Sequence, residues 1–522
     1  MSALPCPADD TLFAAAEQEF GNITTFLSSS EATSLTHSDL ERELEAKGRE
    51  LMRKLLQAHL DLRGPGEAAG PVRDASGETR AREQLHEREL ETIFGTVKVS
   101  RTGYGTEGKA SLHPLDGALN LPVEKYSHEV RRRVAIEAAK NAFDEGVEAL
   151  ETYTGARIPK RQFEELVVRA AQDFEDFYAQ RQAYACRAPG AGSILVLTVD
   201  GKGVVMLPEG LRDATRRAAD KRDKTFTARL AQGRQLHAKR MASVAAVYTI
   251  EPFVRAPEDI LPPAGKVPDE APRPRPEHKR VWASLERTPE EVITAMFDEA
   301  EHRDPRHKKT WVALVDGNLT QLDTLQKVAD QRNIALLILV DFIHVAQYVW
   351  QAAVAFFPGN REKQDAWVLP RLLEILRGKA TYVAGGMRRS ATLQSMATAE
   401  RKPADECADY LLHYAPFLGF DEALAAGLPI ATGVVEGACR HLVNDRMNVT
   451  GARWSLKGGE AVLRLRALRS SGDFDDYWQF HEIREYERNH AAHYADQQVP
   501  AVIPPKQPSP RRSRPGLKLV KK

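Results

Sequence analysis

Apolar positions along the chain keep two different periods, and the changes between them outline its organisation. Residues 1–35 hold no sustained period and are expected to be weakly ordered. A charged helical pattern occupies 38–62, opening on Asp39-Leu-Glu-Arg-Glu-Leu, and a Gly/Pro-containing linker follows at 64–77. Residues 79–90 again read as a short helix. They lead into the alternating run Gly95-Thr-Val-Lys-Val-Ser-Arg, a strand. Three helical segments then come close together, at 130–141, 143–153 and 159–178. Pro159 suits a first helical position, and Lys160 and Arg161 stand in that first turn. Such a trio with a basic start matches a helix-turn-helix unit whose final helix enters a major groove. It matches a plain helical bundle equally well.

The middle of the chain changes character. Ser193-Ile-Leu-Val-Leu-Thr-Val is a buried strand, and Gly203-Val-Val-Met is expected to return from it across an Asp200-Gly-Lys turn. Residues 241–250 form a third strand, and the proline-rich residues 256–276 a surface loop. Thr288-Pro-Glu-Glu places Glu291 three residues after Thr288, a capping box that starts a helix running to about 301. Trp311-Val-Ala-Leu-Val is a fourth strand, 320–331 a helix, and 334–340 a fifth strand. From 345 to about 425 everything reads as helix. This succession predicts an α/β, ribonuclease-H-like core of strand order 3-2-1-4-5: an antiparallel meander followed by two strands added in parallel through right-handed crossovers. Residues 335–357 are apolar enough to suggest a membrane helix, but Asp341, His344, Gln347 and Gln351 lie inside, so a strand running into a helix explains them better.

A chain of 522 residues exceeds one ordinary domain. These patterns divide it into a weakly ordered and helical segment 1–80, a helix-turn-helix-like DNA-binding region 81–185, the first part of the core 190–344, a helical insertion 345–425, a core completion 426–490 and a basic disordered tail 491–522. The four cysteines form no CxxC pair, which excludes an encoded disulfide framework or zinc ribbon and fits a cytoplasmic protein. No charged-then-apolar signal pattern opens the sequence. Net charge is zero, yet residues 212–240 carry ten Lys/Arg against three Asp, and 501–522 carry seven Lys/Arg and no acid. Clusters of this kind are footprints for a polyanion or else a solvated helix face and a free tail. Arg216, Arg217, Lys221 and Arg222 are the DNA-binding candidates of the first.

Asp200 closes strand one and Asp316 closes strand four. Each alone is a common Asp-Gly turn. Together they weigh more, because both follow strands expected to be adjacent and parallel, and the sites of such sheets gather at the strands' carboxyl ends. A third acid from a helix packed on the sheet is expected, and Glu436 is the best candidate. Three converging carboxylates suit phosphodiester chemistry. Hard oxygens bind Mg²⁺ or Mn²⁺, and two such ions roughly 3.5–4 Å apart activate the attacking oxygen and stabilise the leaving one.

The runs Val199-Asp-Gly-Lys-Gly-Val, Lys239-Arg-Met-Ala-Ser-Val-Ala-Ala-Val-Tyr, Val312-Ala-Leu-Val-Asp-Gly-Asn, Val340-Asp-Phe-Ile-His-Val, Ala431-Thr-Gly-Val-Val-Glu-Gly-Ala-Cys-Arg-His-Leu-Val-Asn-Asp-Arg-Met and Thr450-Gly-Ala-Arg-Trp-Ser resemble ISKra-type bacterial insertion-sequence transposases, over roughly residues 85–490. The resemblance implies a DDE transposase with a helical insertion after strand five and the catalytic, metal-binding acids Asp200, Asp316 and Glu436. It implies two Mg²⁺ or Mn²⁺ ions per site, transposon ends and target duplex DNA as partners, a homodimer or higher oligomer in the synaptic complex, and a nucleoid-associated location on DNA. Asp341 and His344 match an acid-and-His pattern after strand five of Mutator-like and hAT-like transposases, where it supports the site. The bland reading is a helix N-cap and a packed histidine. Arg440 and His441 follow Glu436, Arg440 either as an ion pair to it or, with His441, as a phosphate contact. Trp454 either stacks on an unpaired base or fills the core. Relatives often carry paired cysteines near 104–109, where this chain has Tyr104-Gly-Thr-Glu-Gly-Lys and hence no zinc ligands. The alternatives are a nuclease or resolvase on the same fold, and a transposon-derived DNA-binding protein without catalysis.

Overall fold

The computed structural model describes residues 12–184, 193–220, 238–262, 273–449 and 451–503. They fall into two compact units, residues 1–170 with 478–522, and residues 171–477.

In the first unit, helices Ala14–Leu27 and Ser30–Ser34 occupy most of the stretch expected to be weakly ordered. Helix His37–Arg63 follows, its first turn capped by the Thr36 hydroxyl and its end released at Gly64, whose φ of 66° a side chain would resist. Leu56 and Leu60 of this helix pack on Leu90, Val97 and Val99. The three strands β1 (Arg82–Thr92), β2 (Gly95–Thr106) and β3 (Lys109–Leu112) form an antiparallel sheet. β1 corrects the helix expected at 79–90. Its Glu, Arg and Leu residues favour helix, but pairing along the whole of β2, Leu90 opposite Val97, overrides that weak preference. Helices His128–Lys140, Phe143–Thr154 and Lys160–Ala170 follow. The helix expected over 159–178 is broken, its continuation Phe174–Tyr184 belonging to the second unit. Arg131 is fully buried and pairs with Glu485 at 2.6 Å. Residues 491–503, expected in a free tail, are instead bound into this unit. Ala69 N–H donates to the Ala501 carbonyl at 2.8 Å, and Tyr494 packs on Val72 and Tyr104.

The second unit is a mixed α/β arrangement around five strands: β4 (Ile194–Val205), β5 (Lys239–Ile250), β6 (Glu277–Ser284), β7 (Thr310–Val315) and β8 (Leu336–Val340). Their order is β6-β5-β4-β7-β8. The β4–β5 and β5–β6 pairs are antiparallel, and β4–β7 and β7–β8 are parallel. Two of the expected strands need correction. No hairpin forms at Asp200-Gly-Lys, because β4 runs straight through it, pairing Asp200 with Val244 and Lys202 with Ala242. Gly201 has no positive φ, the conformation a tight hairpin needs, and its missing Cβ instead leaves room for the Met241 side chain. The strand at 239–250 is therefore the second of the sheet, and the third, β6, comes from residues whose pattern predicts no strand.

Helix Pro289–Arg303 starts on the expected capping box, with Glu291 N–H 3.2 Å from the Thr288 hydroxyl and Thr288 N–H 2.7 Å from Glu291 Oε2. Helix Leu319–Arg332 links β7 to β8. After β8 the chain is helical, through Phe342–Phe356, Arg361–Leu376, Ala380–Leu393, Thr398–His413 and Phe420–Ala425. Among the described residues no helix is long and apolar enough to cross a membrane. The apolar stretch 335–357 is β8 and the helix after it.

Candidate active site

The parallel ladder between β4 and β7 sets the site. Its last pair is Thr198 with Leu314; Asp200 lies two residues further along β4, and Asp316 follows the last residue of β7, Val315. Both are half-buried. Asp200 Oδ1 accepts from the Gly201 N–H at 2.6 Å, and Asp316 Oδ1 from the Asn318 N–H at 3.0 Å. Lys202, two residues on in β4, shares the face of Asp200.

Glu436 lies on the short helix Gly433–Ala438, which packs on β4 and β5. Its side chain is exposed. Three residues later on the same face, Cys439 is buried and its thiol lies 3.1 Å from Asp200 Oδ2. Burial pushes the Cys439 thiol up, as do the charge of Asp200, the hydrogen bond to it and the charge of Glu436. Lys202 opposes them. From Cys439 to Asn444 the helix widens into a π-turn, a distortion that often marks functional sites.

Asp341 follows β8, and its own N–H donates to the Val315 carbonyl at 2.8 Å. It is buried, caps the next helix through the Ile343 N–H at 2.6 Å, and accepts from the Thr432 N–H at 2.9 Å and from the Thr432 hydroxyl. Both oxygens are thus committed to backbone and hydroxyl groups, and one of them anchors the residue from which the Glu436 helix starts. His344 is half-buried on the helix Asp341 caps.

Two tyrosines of the helical insertion hold the Asp316 turn. Tyr414 donates its hydroxyl to the Gly317 carbonyl, and Tyr410 to the Asp316 carbonyl at 3.4 Å, with Tyr348 stacked on Tyr410 at 4.0 Å. Gly317 has φ of 93°, and a Cβ there would sit 3.1 Å from the Tyr410 hydroxyl and 3.3 Å from the Tyr414 ring. Burial, with the charges of neighbouring groups including Asp316 and Asp341, pushes the Tyr410 hydroxyl up, so it acts as a neutral donor.

The remaining candidates are scattered. Arg440 and His441 are exposed. His441 meets Asp445 at 2.9 Å, and among the described residues no ion pair joins Arg440 to Glu436. Of the two readings of Trp454 its placement is that of the core: it is buried, bonded through Nε1 to the Met447 carbonyl at 3.0 Å and covered by Arg446. Lys160 pairs with Asp144 at 2.7 Å and Arg161 with Glu165 at 3.3 Å on the surface of the first unit. Arg216, paired with Asp213 at 2.6 Å, and Arg217 lie exposed on helix Asp213–Asp220, while Lys221 and Arg222 fall outside the described residues.

Among the described residues no group of three or more His, Cys, Asp or Glu side chains is gathered closely enough to hold a metal ion. Asp200, Asp316 and Glu436 do not form a ligand set in this arrangement. Nothing in the sequence singles out Thr432, Tyr410 or Tyr414 as their partners. Only Cys439 carries a trace, its spacing of three from Glu436 placing both on one helix face.

No family model and no curated protein matches the chain. A solved structure, the Drosophila P element transposase strand transfer complex, is similar over 70% of this chain and 82% of that one, at 8% identity and a TM-score of 0.21. Similarity that slight carries no argument about what this chain does.

Proposed function

We propose that the chain is a DDE-type transposase whose ribonuclease-H-like core cuts the ends of an insertion sequence and joins them to target DNA. The observation that carries this reading is the parallel β4–β7 pairing, beyond which Asp200 lies two residues along β4 and Asp316 just past the end of β7, while the Cys439 contact brings the Glu436 helix to Asp200. The sheet order supports it, with three antiparallel strands followed by two parallel ones reached through helical crossovers. So does the resemblance of the runs around these acids to ISKra-type transposases. Asp200, Asp316 and Glu436 are the acids in this reading, Asp341 positions the Glu436 segment through Thr432, and duplex DNA is the substrate.

The reading calls for Mg²⁺ or Mn²⁺, and the acids as placed do not enclose an ion, so no catalytic step is assigned through a metal. The test is cleavage and strand transfer with DNA carrying the element's ends. Nicking and joining that require Mg²⁺ or Mn²⁺ and vanish in Asp200→Asn, Asp316→Asn and Glu436→Gln support it. Cleavage that persists undiminished in EDTA sinks it, and cleavage without joining moves the chain to the nuclease class.

A further inference from the structure

On one face of β4 the residues Asp200, Lys202 and Val204 stand in line, opposite Val244, Ala242 and Arg240 of β5. The Cys439 contact with Asp200 Oδ2 lays the Glu436 helix over this face. Lys202 is half-buried, and its cross-strand neighbour is only Ala242, so no bulky side chain opposite confines it.

The other charges on this face are spent within the protein. Arg240 donates to the Leu285 carbonyl at 2.6 Å and to the Gly210 carbonyl at 3.1 Å. Asp200 accepts from the Gly201 N–H and from the Cys439 thiol. The Lys202 ammonium differs. Among the described residues no carboxylate or carbonyl meets it, and it is not sealed from water. A lysine whose task was to balance Asp200 or Glu436 would close on one of them, and this one pairs with neither. A cation held partly out of water beside acids, and left unpaired by them, points to an anion that comes from outside the chain.

We infer that Lys202 is a DNA-binding residue of the proposed active site, its ammonium holding a backbone phosphate at the cut bond or immediately beside it. Two residues along a strand span roughly 6.6 Å, so a phosphate brought to Asp200 lies within reach of the four-carbon stem of Lys202. The lysine head is a compact charge with three donors, suited to phosphate oxygens in any orientation. The acids of this site repel a DNA backbone, and a cation that they do not take up offsets the repulsion where the strand must approach. Such a contact fixes the register of the strand and carries no sequence information. The inference rests on the function proposed above and adds a residue to that site.

The test titrates the full chain with salt on a labelled duplex carrying the element's end, in EDTA, which stops metal-dependent cutting. Lys202→Gln should shallow the slope of log K against log salt by about 0.9, the value of one phosphate contact, and Lys202→Arg should restore it. Single phosphates are then replaced one at a time by uncharged methylphosphonates. At one position the wild type should lose affinity and Lys202→Gln should lose none, and that position should be the cut phosphate or its immediate neighbour. Lys202→Met, which keeps the stem and drops the charge, gives the same reading where the glutamine variant is unstable. An unchanged slope in a variant of wild-type melting temperature leaves the ammonium only solvated and overturns the assignment. So does a matched position further from the cut. A wild type that binds the duplex but never cuts it in Mg²⁺ removes the function proposed above, and the slope then decides by itself whether Lys202 holds a phosphate.

Discussion

The Cys439 thiol donates to Asp200 Oδ2 over 3.1 Å, tying the helix of one candidate acid to the strand of another across more than two hundred residues of sequence. Burial and the neighbouring acids keep this thiol protonated, so it serves as a donor and not as a nucleophile. Cys407 is similar, pushed up to about 12 by burial alone. Peptide mapping after iodoacetamide treatment of native protein should find both unmodified, and modified only after unfolding. Labelling of native Cys439 at the rate of a free thiol would show that the contact with Asp200 does not exist in solution.

Asp316 and Asp341 should respond differently to loss of charge. Among the described residues no hydrogen-bond donor meets the second oxygen of Asp316, whereas Asp341 spends both on Ile343 and Thr432. Asp316→Asn is expected to remove cleavage as completely as Asp200→Asn with melting temperature unchanged. Asp341→Asn turns an amide donor toward the Thr432 N–H and should cost about 1–3 kcal/mol of stability, with residual cleavage. A dead Asp341→Asn of normal stability beside an active Asp316→Asn would reverse the assignment.

The tyrosines that hold the Asp316 turn give a graded test. Tyr410→Phe and Tyr414→Phe each remove one hydroxyl donor, a loss of about 0.5–1.5 kcal/mol. The double variant should lower the cleavage rate with DNA affinity unchanged, and amide exchange at Asn318 should quicken. Gly317→Ala should be worse than either, because its backbone conformation and the two rings both oppose a Cβ. Unchanged exchange at Asn318 in the double variant would show that the turn stands without them.

What is legible in the sequence follows from where its signals are local. The strand segments leading up to Asp200 and Asp316 are continuous apolar runs, and the Thr288/Glu291 cap acts over three residues, so both can be read directly. β6 cannot, because Glu277, His278 and Lys279 look like loop and Arg280 looks exposed. Arg280 is in fact buried by Glu299 and lies 3.6 Å over the Tyr178 ring. Asp200-Gly suggests a turn because that pair usually is one; here pairing with Val244 and Ser243 keeps it extended. The partners Cys439, Thr432, Tyr410 and Tyr414 meet their acids only through the tertiary fold, which no short spacing encodes.

The basic segment 212–240 should touch the DNA backbone. On duplex DNA, removing one phosphate-neutralising side chain shallows the slope of log K against log salt by about 0.9. Neutralising Arg216, Arg217, Lys221 and Arg222 together should therefore flatten the salt dependence of duplex binding. An unchanged slope would place the DNA-binding surface elsewhere.

Glu299 should make the second unit sensitive to acid. It is buried between Arg280 and Arg303, at 2.7 Å from the latter. Burial raises its pKa, but the two guanidiniums and their hydrogen bonds outweigh burial and hold it at about 2. A carboxyl depressed in the folded state contributes stability that is fully present above its unfolded value near 4.5 and lost as pH falls toward 2. The contribution at neutral pH is on the order of 3 kcal/mol, of which about 2 kcal/mol should disappear between pH 6 and pH 3. Glu299→Gln takes the charge partner from the buried Arg280 and the half-buried Arg303, so the variant should be less stable at pH 6. It no longer titrates, however, so its urea midpoint should fall less between pH 6 and pH 3 than that of the wild type. Parallel falls in the two proteins would mean that Glu299 has an ordinary pKa and that the acid sensitivity arises elsewhere.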